Sequence, residues 1–253
     1  MPEGHVLHRA ARLQGRRFRG KPVRTSSPQG RFADGAATLN GQTITGIDAL
    51  GKHLFYRFDE GDILHVHLGL FGKFRVRSLP APEPSPNARL VMETETDHLH
   101  LAGPTACELI TPEDEDDLRA RLGPDPILDP TDGADELGRR LSRRSISIGA
   151  ALLDQKVVAG IGNVYRSELL FLAGIHPLTV AKSLESWAID DIWRRSVVAL
   201  TDGEKMGKIV TVLPDEMGVE SPRELKRGDR PLRLQAHGRA VSSLRRADRN
   251  GEC

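Results

Sequence analysis

The chain has 253 residues, with 36 Lys and Arg against 35 Asp and Glu and a formal net charge of +1. That length allows one large or two modest domains with a real core. The balanced charge excludes a globally basic or acidic protein but not one with a basic face. Only two cysteines are present, Cys107 and Cys253, so no disulfide framework is implied; no apolar run is long enough to span a membrane, and a cytoplasmic protein is expected.

The start reads Met1-Pro2-Glu3-Gly4-His5. The residue after Met1 is small, so removal of Met1 is expected. That leaves Pro2 as a terminal secondary amine beside the Glu3 carboxyl. An α-amino group titrates near ~7.7–8.0, far below lysine, so it is partly unprotonated at neutral pH and can form Schiff bases with carbonyl carbons. With a secondary amine the product is a cationic iminium, a strong electron sink. The early charges and the lack of an apolar stretch predict no signal peptide. Val6, Leu7, Ala10, Ala11 and Leu13 predict an amphipathic helix over residues 5–14.

From Val23 to Glu108 the pattern becomes short alternating runs: Thr43–Ile47, Leu54–Phe58, Ile63–Leu68, Phe74–Arg77, Leu90–Glu93 and Leu99–Leu101. This predicts an antiparallel β-sandwich, interrupted by a mobile proline-rich loop over residues 80–86. His65 and His67 lie two apart on one strand face; with no further ligand nearby in the sequence, packing or groove-lining is expected of them rather than metal binding. Cys107 is expected to be a small buried apolar residue.

After Thr111 the character turns helical. Thr111-Pro112-Glu113 supplies an N-cap, a proline at the first helical position and an acidic first turn. Gly123-Pro124-Asp125-Pro126 breaks the chain and is expected to act as an interdomain hinge. Residues 133–200 carry helical periods. Between two of them, Gly160-Ile161-Gly162-Asn163 predicts a tight turn with outward-pointing amides, Asn163 as the cap of the next helix and a phosphate site at that helix start.

Four segments agree in order and spacing: the Pro2-Glu3-Gly4-His5 start, Gly51-Lys52-His53-Leu54, His65-Val66-His67-Leu68-Gly69-Leu70-Phe71-Gly72, and Gly160-Ile161-Gly162-Asn163-Val164-Tyr165-Arg166-Ser167-Glu168. Over about residues 1–231 the chain resembles the formamidopyrimidine-DNA glycosylase / endonuclease VIII family, in its actinobacterial endonuclease VIII-like branch. The resemblance implies an α+β protein: an N-terminal helix and antiparallel β-sandwich over residues 2–122, a helical helix–two-turns–helix domain over 123–231, and a non-family, disordered tail over 232–253. It implies a monomeric, nucleoid-associated base-excision-repair glycosylase and abasic-site lyase acting on duplex DNA with oxidised bases, pyrimidines favoured, or abasic sites. Pro2, Glu3 and Lys52 are the implied catalytic residues, with Lys52 near the phosphate beside the lesion. Asn163, Tyr165 and Arg166 are implied to hold DNA phosphates, and Leu70 and Phe71 to fill the space left by an extruded base. No cofactor is implied for the chemistry itself.

The tail departs from the family, which usually ends in a zinc finger of two Cys-x-x-Cys pairs. After Pro231 no such pair occurs, so the four-cysteine zinc site is absent from this chain. Reading the codons one base later allows Tyr at Leu232 and Leu234 and Cys at Val241 and Leu244, which suggests a frameshift; true loss of the finger is the alternative. The second, δ-elimination step is then in doubt. Rival readings are a non-catalytic paralogue that grips damaged DNA and an inactive frameshift product.

Overall fold

The computed structural model describes residues 2–211. Helix α1 (Gly4–Phe18) comes first. It places Leu7, Ala11 and Phe18 on the core face at helical spacing. It runs one turn past the expected end because Phe18 is still buried, and the basic residues that follow suit a helix C-terminus. In the basic stretch Arg16-Arg17-Phe18-Arg19-Gly20-Lys21, Arg17 and Lys21 pair with Asp97 at 2.6 and 3.4 Å, so two of its four cations are engaged within the fold.

The strands are β1 (Arg24–Ser26), β2 (Ile44–Leu50), β3 (His53–Phe58), β4 (Ile63–His67), β5 (Lys73–Ser78), β6 (Ala88–Glu93), β7 (Asp97–Ala102) and β8 (Ala106–Ile110), with a short helix α2 (Ala33–Leu39) after β1. They form two four-stranded antiparallel sheets, ordered β1-β6-β7-β5 and β2-β3-β4-β8. This is the expected sandwich. Leu54, Tyr56, Leu64 and Val66 from one sheet meet Leu90, Met92, Leu99 and Leu101 from the other. Tyr56 donates its hydroxyl to Gln14 of α1, which satisfies the one polar atom of a buried ring. Cys107 joins the same core, and burial pushes its thiol up to about 12. Sequence reading did not single out β1, α2 or β8 as separate elements.

Helix α3 (Pro112–Arg121) opens on the expected cap. Thr111 and Asp114 form a reciprocal capping box, with Pro112 in the first turn. Glu115 then takes a two-pronged bond from Arg57 at 2.7 Å for each contact, which fixes α3 on the outer face of the second sheet. The helical part holds α4 (Gly133–Leu141), α5 (Ile148–Ala151), α6 (Asn163–Leu172) and α7 (Ser186–Met206) around a second core that includes Leu137, Ile148, Leu169, Ile192 and Leu200. The 232–253 tail and the end of the expected 123–231 domain lie outside the described residues.

Helix α1 contributes to the sandwich core and packs its other side against α7. Arg9 donates to the carbonyls of Glu204 and Lys205 at 2.9 and 2.7 Å, capping the last turn of α7. The Gly123–Pro126 segment, expected as an interdomain hinge, is buried and tied down. Gly123 N–H donates to Gln155 O, and Ala159 N–H donates to Pro124 O. Asp125 is fully buried; Oδ2 accepts from Gly51 N–H at 2.6 Å and meets His8 Nε2 at 2.7 Å, while Oδ1 accepts from Ile127 N–H at 2.9 Å.

Candidate nucleic-acid interface and reactive terminus

The chain enters α1 through Pro2 and Glu3. Gly4 N–H donates to Gly160 O at 2.8 Å, which pins the start of α1 to the turn before α6. The Glu3 side chain is fully buried at the amino end of α6. Its Oε2 accepts from Gly162 N–H at 2.8 Å and Tyr165 N–H at 3.3 Å, and Oε1 accepts from Val164 N–H at 2.9 Å. The first amides of a helix lack partners of their own, and the helix dipole favours an anion there. Glu3 supplies both needs from 159 residues away in the chain. Gly162 is the residue that permits the approach: an added Cβ would lie 2.6 Å from the Glu3 carboxyl carbon.

Two sequence expectations are corrected here. The cap position of α6 is Gly162, with no side-chain cap of its own, and Asn163 is the first helical residue. The Gly162, Val164 and Tyr165 amides are taken by the Glu3 carboxylate and the Gly160 amide by Gln155 Oε1, so these four do not point out toward a phosphate. Only a contact across the whole chain explains this, so local capping rules assign the wrong residue.

Lys52 follows Gly51, which adopts φ +57 and packs against Ala159 so closely that an added Cβ would meet it at 2.9 Å. The Lys52 ammonium donates to Ile161 O at 2.6 Å. Burial lowers its pKa, and the Glu3 carboxylate partly restores it. Ile161 O also accepts from Gln155 Nε2 at 3.0 Å, while Gln155 Oε1 accepts from Gly160 N–H at 3.0 Å. Pro2, Glu3 and Lys52 therefore converge on one turn, residues 155–165. Half-buried Pro2 lines a cleft of about 320 Å³ together with Lys52, His67, Leu70 and Gln155. It also borders a larger apolar groove of about 560 Å³ between α1 and β5, with Val6, Ala10, Leu13 and Phe74.

Leu70 and Phe71 sit at the tip of the β4–β5 turn at the cleft edge and are 56% and 80% exposed. Large apolar side chains held this far into solvent lack a packing role within the described fold. Asn163 is exposed and Arg166 half-buried. Arg166 faces a separate groove beside Ser147 and Pro177. Tyr165 is different: its ring is fully buried, stands edge-on to His5 at 5.3 Å, and its hydroxyl donates to Ala199 O at 3.2 Å. Its side chain belongs to the second core with Leu169, one turn on, and cannot reach a DNA phosphate. Its share in the site is the backbone N–H given to Glu3.

The histidines form a larger group than the sequence suggested. His53 on β3 lies opposite His67 and bonds His65 at 2.9 Å between ring nitrogens, and His65 bonds Glu108 at 3.0 Å. Burial, with the neighbouring imidazoles and Lys52, lowers His53 to about 3. One ring-to-ring bond joins His53 and His65, Glu108 takes the other His65 nitrogen, and His67 Nδ1 accepts from Gly69 N–H; among the described residues no such group could hold a metal. Nor does the family's zinc fit: Cys107 is buried in the sandwich core, and the sequence has one other cysteine. Sequence reading missed three contributors to the site: Asp125 and His8, which tie Gly51 and α1 together, and Gln155, which shapes the turn.

The comparisons with known proteins agree with this geometry. The family model described as formamidopyrimidine-DNA glycosylase N-terminal domain matches residues 1–106, and the formamidopyrimidine-DNA glycosylase H2TH domain matches residues 122–214. Endonuclease 8 1 of Mycobacterium tuberculosis (strain ATCC 25618 / H37Rv) is 44% identical over 219 residues, which cover 85% of this chain and 81% of the relative. Formamidopyrimidine-DNA glycosylase of Rhodospirillum rubrum is 42% identical over 158 residues, 59% of this chain and 56% of its own. A solved complex between Lactococcus lactis Fpg and an abasic site containing DNA superposes with a TM-score of 0.70 at 27% identity, over 81% of this chain and 79% of that one.

Proposed function

This chain belongs to the formamidopyrimidine-DNA glycosylase family, and from that premise we propose that it is a bifunctional glycosylase and abasic-site lyase working through Pro2. The observation that carries the reading is the convergence of Pro2, Glu3 and Lys52 on the 155–165 turn, at a cleft edged by exposed Leu70 and Phe71. The partner is duplex DNA with oxidised bases, pyrimidines favoured, or abasic sites, bound by a monomer. The damaged nucleotide leaves the stack and enters the cleft, and Leu70 and Phe71 fill the gap.

Once Met1 is removed, the Pro2 nitrogen attacks the sugar C1′ and the C1′–base bond breaks, the bonding electrons leaving with the base. The sugar ring opens, and nitrogen and C1′ form an iminium. Glu3 Oε1 receives a single amide bond and keeps a lone pair; it takes the proton that the Pro2 nitrogen loses on forming the iminium and passes it to the ring oxygen as the bond from that oxygen to C1′ breaks. The iminium acidifies the C2′ hydrogen; its loss expels the 3′ phosphate by β-elimination. The Lys52 ammonium shares the cleft with Pro2. A nearby cation disfavours protonation of an amine and attracts the phosphate that flanks the lesion. No metal or redox cofactor enters these steps.

Borohydride trapping on an abasic duplex tests this, after mass spectrometry confirms loss of Met1. A covalent adduct that disappears in Pro2→Gly is expected. A folded, Met1-free chain that binds the duplex but yields no adduct would instead be a non-catalytic damage binder.

A further inference from the structure

The outer face of the first sheet carries a second feature, away from Pro2. Strand β5 starts directly behind the wedge turn and places Lys73, Arg75 and Arg77 on one side, all exposed. They recur every two residues, about 7 Å apart along an antiparallel strand. Among the described residues, neither arginine has an ion-pair partner. Across the ladder, Arg75 faces His100 and Arg77 faces His98 on β7. These four residues and Ser85 line a cavity of about 230 Å³ under the proline-rich loop.

His100 marks this cavity as more than a surface dent. The residue is 7% exposed, and neither ring nitrogen has a hydrogen-bond partner. A buried polar group left without a partner costs about 1–3 kcal/mol, and native folds rarely leave one without a reason. Its neighbour His98 is already anchored, bonding Glu93 through Nδ1 at 2.9 Å. Glu83, the one carboxylate lining the cavity, pairs with neither arginine. Burial, then Arg75, His98 and Lys73, lowers the His100 pKa, so the ring is neutral and offers one donor and one acceptor.

We propose that Arg75, Arg77 and His100 form a phosphate-binding site outside the catalytic cleft. Two planar guanidinium forks fit the oxygens of an oxyanion, and the ring N–H of His100 completes the shell. The phosphate is carried either by a DNA strand running from the wedge turn along β5 or by a free nucleotide. The strand alternative rests on the glycosylase reading above; the phosphate site does not.

The test follows the ring nitrogen signals of His100 by NMR in the full chain, assigned with His100→Gln. Three probes are titrated separately: inorganic phosphate, a deoxynucleoside monophosphate and an undamaged single-stranded oligonucleotide. The expected result is a saturable shift of the His100 signals, lost or weakened at least tenfold in the Arg75→Ala/Arg77→Ala double variant. Both arginines are exposed, so the double variant should keep the fold, which its melting temperature checks. An oligonucleotide that binds at least tenfold tighter than the mononucleotide, with affinity falling steeply as salt rises, identifies a strand as the source. Equal affinity of the three probes identifies a free phosphate ligand. No shift with any probe, or a shift undiminished in the double variant, overturns the site. Because the readout is local to His100, failure of this site and failure of Pro2 catalysis are separate outcomes.

Discussion

Replacing Asp125 with alanine should loosen the joint that holds the catalytic groups in register. The carboxylate is fully buried and meets three partners: His8 Nε2 at 2.7 Å, Gly51 N–H at 2.6 Å and Ile127 N–H at 2.9 Å. Alanine leaves those groups facing a small void that is too confined to hydrate all of them. Each of the three stranded buried groups costs about 1–3 kcal/mol. The partners overlap, so the sum is not additive, and about 4 kcal/mol is expected. For a chain this long, about 1 kcal/mol moves the melting temperature by roughly 2–4 °C, which gives a drop of about 8–16 °C. Gly51 N–H precedes Lys52, and His8 lies on the helix behind Pro2, so the yield of trapped adduct should also fall at a temperature where the variant remains folded. Calorimetry and borohydride trapping, run side by side, read both effects. A melting temperature within about 2 °C of the parent, with trapping intact, would refute the claim that Asp125 joins the two bodies.

Three further outcomes are expected. His5 is buried, and burial first, then Arg9 and His8, lowers it to about 4. The unfolded chain therefore takes up the proton before the folded one, and the His5 contribution to stability should fall as pH drops from about 6.5 to about 4 and level off below; urea midpoints across that window should slope less in His5→Gln. Gly162→Ala puts a methyl carbon 2.6 Å from the Glu3 carboxyl carbon; Glu3 must leave its three amides, so adduct formation should fall at least tenfold while undamaged DNA binds as before, and an unaltered rate would contradict the site. Phe71→Ala removes a side chain 80% exposed at the cleft edge, so stability should change by less than about 0.5 kcal/mol, while affinity for an abasic duplex, measured by fluorescence anisotropy, drops about tenfold; a large loss of stability would show that Phe71 packs within the fold.

Most of the sandwich was legible because its strands alternate and its turns carry glycine, and α1 was legible because its apolar positions recur at helical spacing. The α3 cap was legible because Thr111, Pro112 and Glu113 act within one turn; the return bond from Asp114 emerged only in the structure. What escaped the sequence were contacts that span the chain. Short β1 has three residues and no alternation to detect. Asp125 reads as part of a Gly-Pro break, and nothing local reveals that His8, far upstream, meets its carboxylate. Tyr165 follows Asn163 in a motif that the family resemblance ties to DNA, yet its helical phase, one turn before Leu169, puts it on the buried stripe. The same phase could have been read from the sequence, since Tyr165, Leu169 and Leu172 recur at three- and four-residue steps.

The misplaced cap also explains how the site is assembled. A helix start with free amides and a dipole is equally suited to a phosphate and to a carboxylate. In this fold the carboxylate is Glu3, one residue from the proposed nucleophile. The energy that would otherwise grip DNA at α6 is used to hold the terminus. That choice fixes Pro2 against the same turn that receives Lys52 through Ile161 O, so any displacement of the turn moves amine, carboxyl and ammonium together. On the proposed reading, DNA contacts come from what is left exposed around it: Asn163 on the first turn of α6 and the side chains of Leu70 and Phe71. Once Met1 is removed, the proposed nucleophile is already positioned before DNA arrives, and little of the ordering entropy of a free terminus remains to be lost when the substrate binds.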